Sequence, residues 1–237
     1  MTHPTASPFT DPAAVARYAE GPRRNVPGHD SLLPMVRILL AERVPANGRV
    51  LVVGAGGGLE LEDMARAHPG WRFDGVDPSL PMLDLAAQRL QSAGVSDRVA
   101  LHHGYMQSAP DGPFDGATCL LTFHFVPREE RVLMVAEIRR RLKPGAPFVA
   151  VHLSVADGGA GDEGGVGERD LWLSRYSAFQ VASGMAPEMA DRGRAKVAAE
   201  LAVLTPEEDE AIFREAGFSD VRMFYMGFAF RGWVGLA

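Results

Sequence analysis

Residues 49–77, RVLVVGAGGGLELEDMARAHPGWRFDGVD, decide the fold of this chain. Val50 to Val53 is an unbroken apolar run, as expected of a strand buried on both faces of a parallel sheet. It stops at Gly54-Ala55-Gly56-Gly57-Gly58 and passes into Leu59 to Ala67, where apolar residues recur at helical spacing. A second strand, Trp71 to Val76, ends on Asp77. Strand, glycine turn, helix, strand and terminal acid together predict one βαβ unit with the geometry of a nucleoside pocket. Gly54 and Gly56 let the backbone turn sharply and approach a ligand whose space a Cβ would fill, and Gly58 lets helix and strand pack closely. Asp77, about 20 residues beyond the glycines, is placed to accept hydrogen bonds from ribose hydroxyls.

The position after Gly58 separates two kinds of nucleoside ligand. Dinucleotide enzymes usually carry G-x-G-x-x-G, whose last glycine sets a pyrophosphate on the helix N-terminus. Here that position is Leu59, followed by Glu60 and Glu62 in the first helical turn. Acids there repel a pyrophosphate and suit a cationic or zwitterionic ligand, which argues against a nicotinamide oxidoreductase.

With those residues stand three further stretches: GVDPS at 75–79, FDGATCLLTFHFVP at 114–127 and RRLKPGAPFVAVHLS at 140–154. Together with VLVVGAGGG they resemble the class I S-adenosylmethionine-dependent methyltransferases over nearly the whole chain. The resemblance implies a Rossmann-like, doubly wound α/β fold: a seven-stranded, mostly parallel sheet with an antiparallel last strand and a helical lid. It implies one methyltransferase domain over residues 1–237, with N-terminal lid helices in 1–45 and a helical insertion in 155–204. S-adenosylmethionine is the implied cofactor, held by Gly54, Ala55, Gly56, Gly58, Asp77, Pro78, Met106, Leu121 and His29. Where the family commonly has Asp after the third-strand glycine, to receive the adenine amino group, this chain has Tyr105, which offers a ring and a hydroxyl instead.

Bulk properties narrow the partners. The chain has 237 residues, 46% of them apolar, and a formal net charge of −6. That is enough for one sizeable core, and the acidic balance gives no attraction to DNA or anionic lipid. No run approaches transmembrane length, residues 1–10 carry no apolar signal core, and a cytoplasmic location is expected. The single cysteine, Cys119, lies in an apolar strand run and is expected to pack as a small buried hydrophobe.

Along the chain the pattern predicts a helix over 12–19, a turn-rich loop GPRRNVPG at 21–28 and a helix over 32–43. Further helices are expected at 80–93, 127–142, 168–183, 187–201 and 206–216. Strands are expected at 99–103, 116–121, 148–153, 221–226 and 229–236. The triplet Arg139-Arg140-Arg141 reads as a solvated helix end, and residues 157–167 as a glycine-rich acidic loop.

Methyl transfer from a sulfonium is an in-line displacement, so the protein mainly aligns the acceptor and dries the site. A general base is needed only for a protonated acceptor. His124, at the end of the fourth strand, is the first choice for it, followed by His152, Tyr18 and Tyr176. Trp172 and Tyr176 are expected to shape an aromatic acceptor site, and no metal-ligand spacing is present. The expected partners are a small-molecule acceptor and a second copy of the chain, joined through the helical insertion. A more distant resemblance, through RNVPGHD, the inserted helices and the C-terminal GFSDVRMFYMGFAFRGWVGL, is to the carboxy-S-adenosylmethionine synthases of tRNA modification. That family's carboxylate-binding Arg would correspond to Arg192, Arg194 or Lys196. A non-catalytic S-adenosylmethionine-binding protein is the alternative outside enzymes. Methyl-transfer screening separates it, because such a protein binds the cofactor without turning it over.

Overall fold

A computed structural model describes residues 21–156 and 167–237. The helix expected over 12–19, Tyr18 within it, and nearly all of the acidic glycine-rich loop lie outside the described residues. The elements in chain order are helices α1 (Gly21–Asn25) and α2 (His29–Ala41), then β1 (Arg49–Val53), α3 (Leu59–Ala67), β2 (Arg72–Asp77) and α4 (Leu80–Ser92). There follow β3 (Val99–His103), β4 (Gly116–Leu120), α5 (Arg128–Arg140) and β5 (Pro147–Leu153). Helices α6 (Glu168–Ala182), α7 (Pro187–Glu200) and α8 (Pro206–Glu215) precede the hairpin β6 (Ser219–Gly227) and β7 (Phe230–Leu236).

The seven strands form one sheet in the order β3-β2-β1-β4-β5-β7-β6. Strands β1 to β5 run parallel, and β7 is antiparallel to both its neighbours. The order reverses between β1 and β4, which opens a crevice at their carboxyl ends. Helices cover both faces, and that is why the central strands read as continuous apolar runs. On one face Val50, Val52, Val149 and Val151 pack with Leu32, Val36 and Leu40 of α2. On the other, Leu51, Val53, Phe148 and Ala150 meet Val135 and Ile138 of α5 and Phe213 of α8. Cys119 is wholly buried in this second layer, and burial pushes its thiol pKa up. Among the described residues no helix is long and apolar enough to cross a membrane.

Three local expectations are corrected. The stretch read as a loop at 21–28 forms α1 and then turns at Gly28, whose φ is +68°, so α2 begins at His29 rather than Leu32. Its turn formers act as a helix start and a left-handed cap. The arginine triplet is a solvated face only at Arg140, which stays exposed. Arg141 is buried and donates to the carbonyls of Pro110, Glu137 and Met106, while Arg139 donates to the carbonyl of Gly217, so the triplet fastens α5 to its neighbours. Finally, Gly58 admits α4 rather than a strand: a Cβ there would stand 3.0 Å from Cα and Cβ of Ala86.

Candidate cofactor and acceptor site

The glycine turn is held open by the ends of β2 and β4. The amides of Gly54 and Ala55 both donate to the carbonyl of Val76, at 2.9 and 3.1 Å. Gly54, Gly56 and Gly58 all have positive φ. At Gly54 the missing side chain makes room for the protein itself, since a Cβ would lie 2.1 Å from Oγ1 of Thr122. At Gly56 the nearest atom to such a Cβ is Cε of Met82 at 3.4 Å, an ordinary contact, so there the positive φ rather than crowding calls for glycine. Asp77 is buried at the end of β2, where its Oδ2 accepts from the Gly56 amide at 2.9 Å and its Oδ1 from the Ser79 amide at 2.8 Å. Burial pushes the Asp77 pKa up, against the pull of those two amides. Each oxygen keeps a further lone pair, so the carboxylate can take ribose hydroxyls without surrendering the bonds that shape the turn.

Leu121 closes the other wall. It sits at φ +58°, a conformation that a residue with a Cβ rarely adopts, with its amide donating to the carbonyl of Val151 at 2.6 Å. Such strain clusters at binding sites because the surrounding packing over-determines it. Here it turns the chain from β4 so that Leu121 lines the cavity and Thr122 fills the space beside Gly54.

A cavity of about 50 Å³ lies between these walls and the start of α2. Gly54 to Gly57, Leu59 and Glu60 line it from the turn, Leu120 and Leu121 from β4, and Pro22, His29, Leu32 and Leu33 from above. Small-molecule sites usually offer about 300–1,000 Å³, so this cavity as it stands is smaller than a nucleoside needs. A larger hollow, of about 350 Å³, lies between α3 and α4, lined in part by Glu62, Arg66 and Arg89. Neither Asp77 nor Leu121 lines it, and its charges pair with one another: Glu62 accepts from Arg66 at 3.0 Å and from Arg89 at 3.3 Å. Glu62 is thus committed to the outer face of α3, and of the two acids in its first turn only Glu60 reaches the cavity.

The carboxyl of Glu60 is buried and accepts from Oγ1 of Thr118 at 2.5 Å. Burial raises its pKa to about 8, with the Thr118 hydroxyl pulling the other way. His29 is 6% exposed, and its Nδ1 has no hydrogen-bond partner and stands 3.8 Å from Oδ1 of Asp30. Burial lowers the His29 pKa, so the ring is held neutral at pH 7.

The other expected site residues fall elsewhere. Tyr105 is exposed beyond β3, Met106 is buried in the second core layer, and the Pro78 carbonyl faces Nε2 of His103 at 3.1 Å. His124 is buried in the turn after β4, its Nδ1 facing the Leu153 amide at 3.4 Å, and desolvation drives its pKa down to about 3. His152 points into the second core layer, between Phe123 and Trp233, with Nε2 3.1 Å from Oδ2 of Asp209. Asp209 in turn accepts from Arg131 at 2.6 Å, and the same guanidinium donates to the carbonyls of Phe123, Val126 and Ala202. Burial raises the Asp209 pKa, but His152, Arg131 and Ser154 outweigh it and hold the carboxyl below its ordinary value.

Tyr176 is buried against Phe230, its hydroxyl accepting from Gln180, whose amide also donates to Asn25 of α1. Trp172 has the guanidinium of Arg175 4.5 Å and that of Arg231 5.4 Å from its ring centre. None of Tyr176, Trp172, His124 and His152 lines the cavity. Sequence reasoning missed Thr118 and gave Glu60 only a general electrostatic role. The signal available for Glu60 was an acid in the first turn of a helix whose core-facing side it shares with Met64.

Residues 50–145 match the family described as "Methyltransferase domain". The chain is 22% identical to a carboxy-S-adenosyl-L-methionine synthase from Alteromonas mediterranea, over 95% of this chain and 91% of that protein. It is 34% identical to a demethylmenaquinone methyltransferase from Symbiobacterium thermophilum, over 44% of this chain and 42% of the relative. Among solved structures it resembles phosphoethanolamine N-methyltransferase 2 of Haemonchus contortus in complex with S-adenosyl-L-methionine, with a TM-score of 0.69 and 14% identity. That likeness covers 98% of this chain, which spans 60% of the other chain's length. The glycine turn, Asp77 and the switch-point crevice together have the arrangement of a Rossmann-like nucleoside-binding fold. Over residues 50–145 the chain carries a methyltransferase domain, and it is similar to the class I S-adenosylmethionine-dependent methyltransferases, a similarity that supports S-adenosylmethionine as the cofactor.

Proposed function

We propose that the enzyme transfers the methyl group to an oxygen or nitrogen atom of a small-molecule metabolite. The supporting observation is the roof: Pro22, His29, Leu32 and Leu33 cover the glycine turn with mainly apolar groups, a covered setting that suits a small acceptor rather than a polymer. In this reading Asp77, Gly54, Ala55 and Gly56 hold and orient the cofactor, with Leu121 excluding water beside them. S-adenosylmethionine supplies the electrophilic methyl. The apolar wall dries the reacting centre, which strengthens the electrostatics of a transfer that loses positive charge. Of the histidines considered, His29 is the one at the cavity, neutral and with Nδ1 without a partner, and it is the residue placed to hold an acceptor hydroxyl or its proton. His124, with a pKa near 3, would be too weak a base for that task.

The test is incubation with S-adenosylmethionine and fractionated metabolites, followed by mass spectrometry. The reading predicts S-adenosylhomocysteine together with a small molecule that has gained one methyl group. Methylation confined to RNA or protein would overturn it. The near full-length similarity to a carboxy-S-adenosylmethionine synthase favours a second reading, in which the cofactor itself gains a carboxyl group. That reading needs a cation at the reacting end. Arg192 bonds the Glu188 carbonyl, Lys196 lies 3.7 Å from Glu200, and neither these nor Arg194 lines the cavity of one chain. Its signature is a carboxylated nucleoside with no methylated acceptor.

The lid over 1–45 and the insertion over 155–204 are, in the same proposal, accessory parts of one domain. Leu171, Val181 and Met189 are exposed apolar residues on α6 and α7 and support a homodimer through the insertion, to be tested by light scattering. A cytoplasmic site of action belongs to the same proposal.

A further inference from the structure

We propose that Glu60 is a proton-linked seat for the positively charged end of the cofactor, giving up its proton to solvent as the ligand enters. The inference rests on the cofactor assignment above and concerns a residue outside the glycine turn and the ribose acid. Two observations carry it. Glu60 is a buried carboxyl on the wall of the cavity, and it has a neutral hydroxyl, Thr118, as its hydrogen-bond partner. His29, whose buried Nδ1 has no hydrogen-bond partner, lines the same cavity.

The groups around Glu60 leave it without a compensating cation. On its own helix the charge of Asp63 adds to the upward push on Glu60, while Asp63 itself pairs with Arg37 of α2 at 2.7 Å. From β4 come Thr118 and the buried Cys119, and from α2 comes His29, held neutral by burial. In the free enzyme the carboxyl therefore keeps its proton near neutral pH, its pKa being about 8. S-adenosylmethionine brings an ammonium and a sulfonium. A cation beside a buried carboxyl favours the ionised form, so the O–H bond breaks, the proton leaves through the opening cavity, and the carboxylate remains as counter-charge. No electron transfer or further reactant is involved.

The test is isothermal titration of the whole enzyme with S-adenosylmethionine, at pH 7, in buffers of different ionisation enthalpy. The cofactor's own amine titrates near pH 8, so the readout is the difference between the wild type and Glu60→Gln. The proposal expects the wild type to release close to one proton more than Glu60→Gln, with the difference vanishing at pH 9.5. Repeating it with S-adenosylhomocysteine, which keeps the ammonium and lacks the sulfonium, locates the charge. Release with both ligands puts the ammonium at Glu60, and release with S-adenosylmethionine alone puts the sulfonium there. Equal proton release by both proteins would overturn the proposal while leaving the cofactor assignment intact, whereas absence of binding by the wild type would overturn the assignment itself. Should Glu60→Gln fail to fold, Thr118→Val serves instead. Losing the hydroxyl raises the carboxyl's proton affinity, so the pH at which release falls to half must move up, and an unmoved midpoint counts against Glu60.

Discussion

Glu60 and Asp209 are both buried acids, and their surroundings set them to opposite tasks. Asp209 lies under β5 between Arg131 and His152, with its pKa held below the ordinary value. Its charge is satisfied inside the protein, and the arginine that satisfies it also gathers the carbonyls of Phe123, Val126 and Ala202 into one cluster. Glu60 lies under the glycine turn with one hydroxyl for company and its pKa pushed up to about 8. A paired buried charge fixes structure, whereas a buried acid without a cation is poised for something that arrives from outside.

The sharpest way to break this comparison is to unpair Asp209. Arg131→Met should destabilise the fold by about 3–5 kcal/mol, because it leaves a buried charge uncompensated. Urea unfolding at pH 7 measures this, and a loss below about 1 kcal/mol, within the range of an exposed pair, would mean the cluster is not the clamp described here.

Stability as a function of pH separates the two acids next. The raised pKa of Glu60 contributes stability that is full below its unfolded value of about 4.3 and is lost as pH rises through about 8. Between pH 5 and 8 the wild type should lose stability relative to Glu60→Gln with a slope on the order of 1 kcal/mol per pH unit. Asp209 has the opposite sign. Its depressed pKa gives stability that is present above about pH 3.9 and lost only as pH falls through the folded value, so it adds no slope in that window. Parallel denaturation curves for the two proteins across pH 5–8 would erase the distinction.

A smaller effect sharpens the Glu60 side. Thr118→Val removes the one hydroxyl bonded to that carboxyl and should cost about 1 kcal/mol at pH 6, read by thermal unfolding. The smallest expected effect is at His124. His124→Gln keeps an acceptor for the Leu153 amide, and because the imidazole is already neutral above pH 5, the pH–rate profile from 6 to 9 should not move. A shifted acid limb would return His124 to the chemistry.

How much of the site could be read from the chain depends on the range of the contacts involved. The glycine turn and Asp77 were legible because one βαβ unit contains them, and the amide of Gly56 meets the acid only 21 residues away. The α1–α2 roof was half legible: His29 was expected near the cofactor, but the loop that precedes it is a helix. His152 and Tyr176 were misplaced as acceptor-facing groups because strand and helix phase give only the alternation of faces. Which face looks toward the crevice was set by β7 and α8 packing on one and by Gln180 and Asn25 on the other.

The sequence by itself determined the sheet, the glycine turn and the acid at the end of β2, since apolar period, glycine conformation and short-range pairing are local properties of the backbone. Only the tertiary structure decided which acids are paired and which histidine faces the cavity. A side chain's charge state is fixed by whatever surrounds it in space: Thr118 lies 58 positions from Glu60, and Arg131 lies 78 from Asp209. No local pattern records those distances.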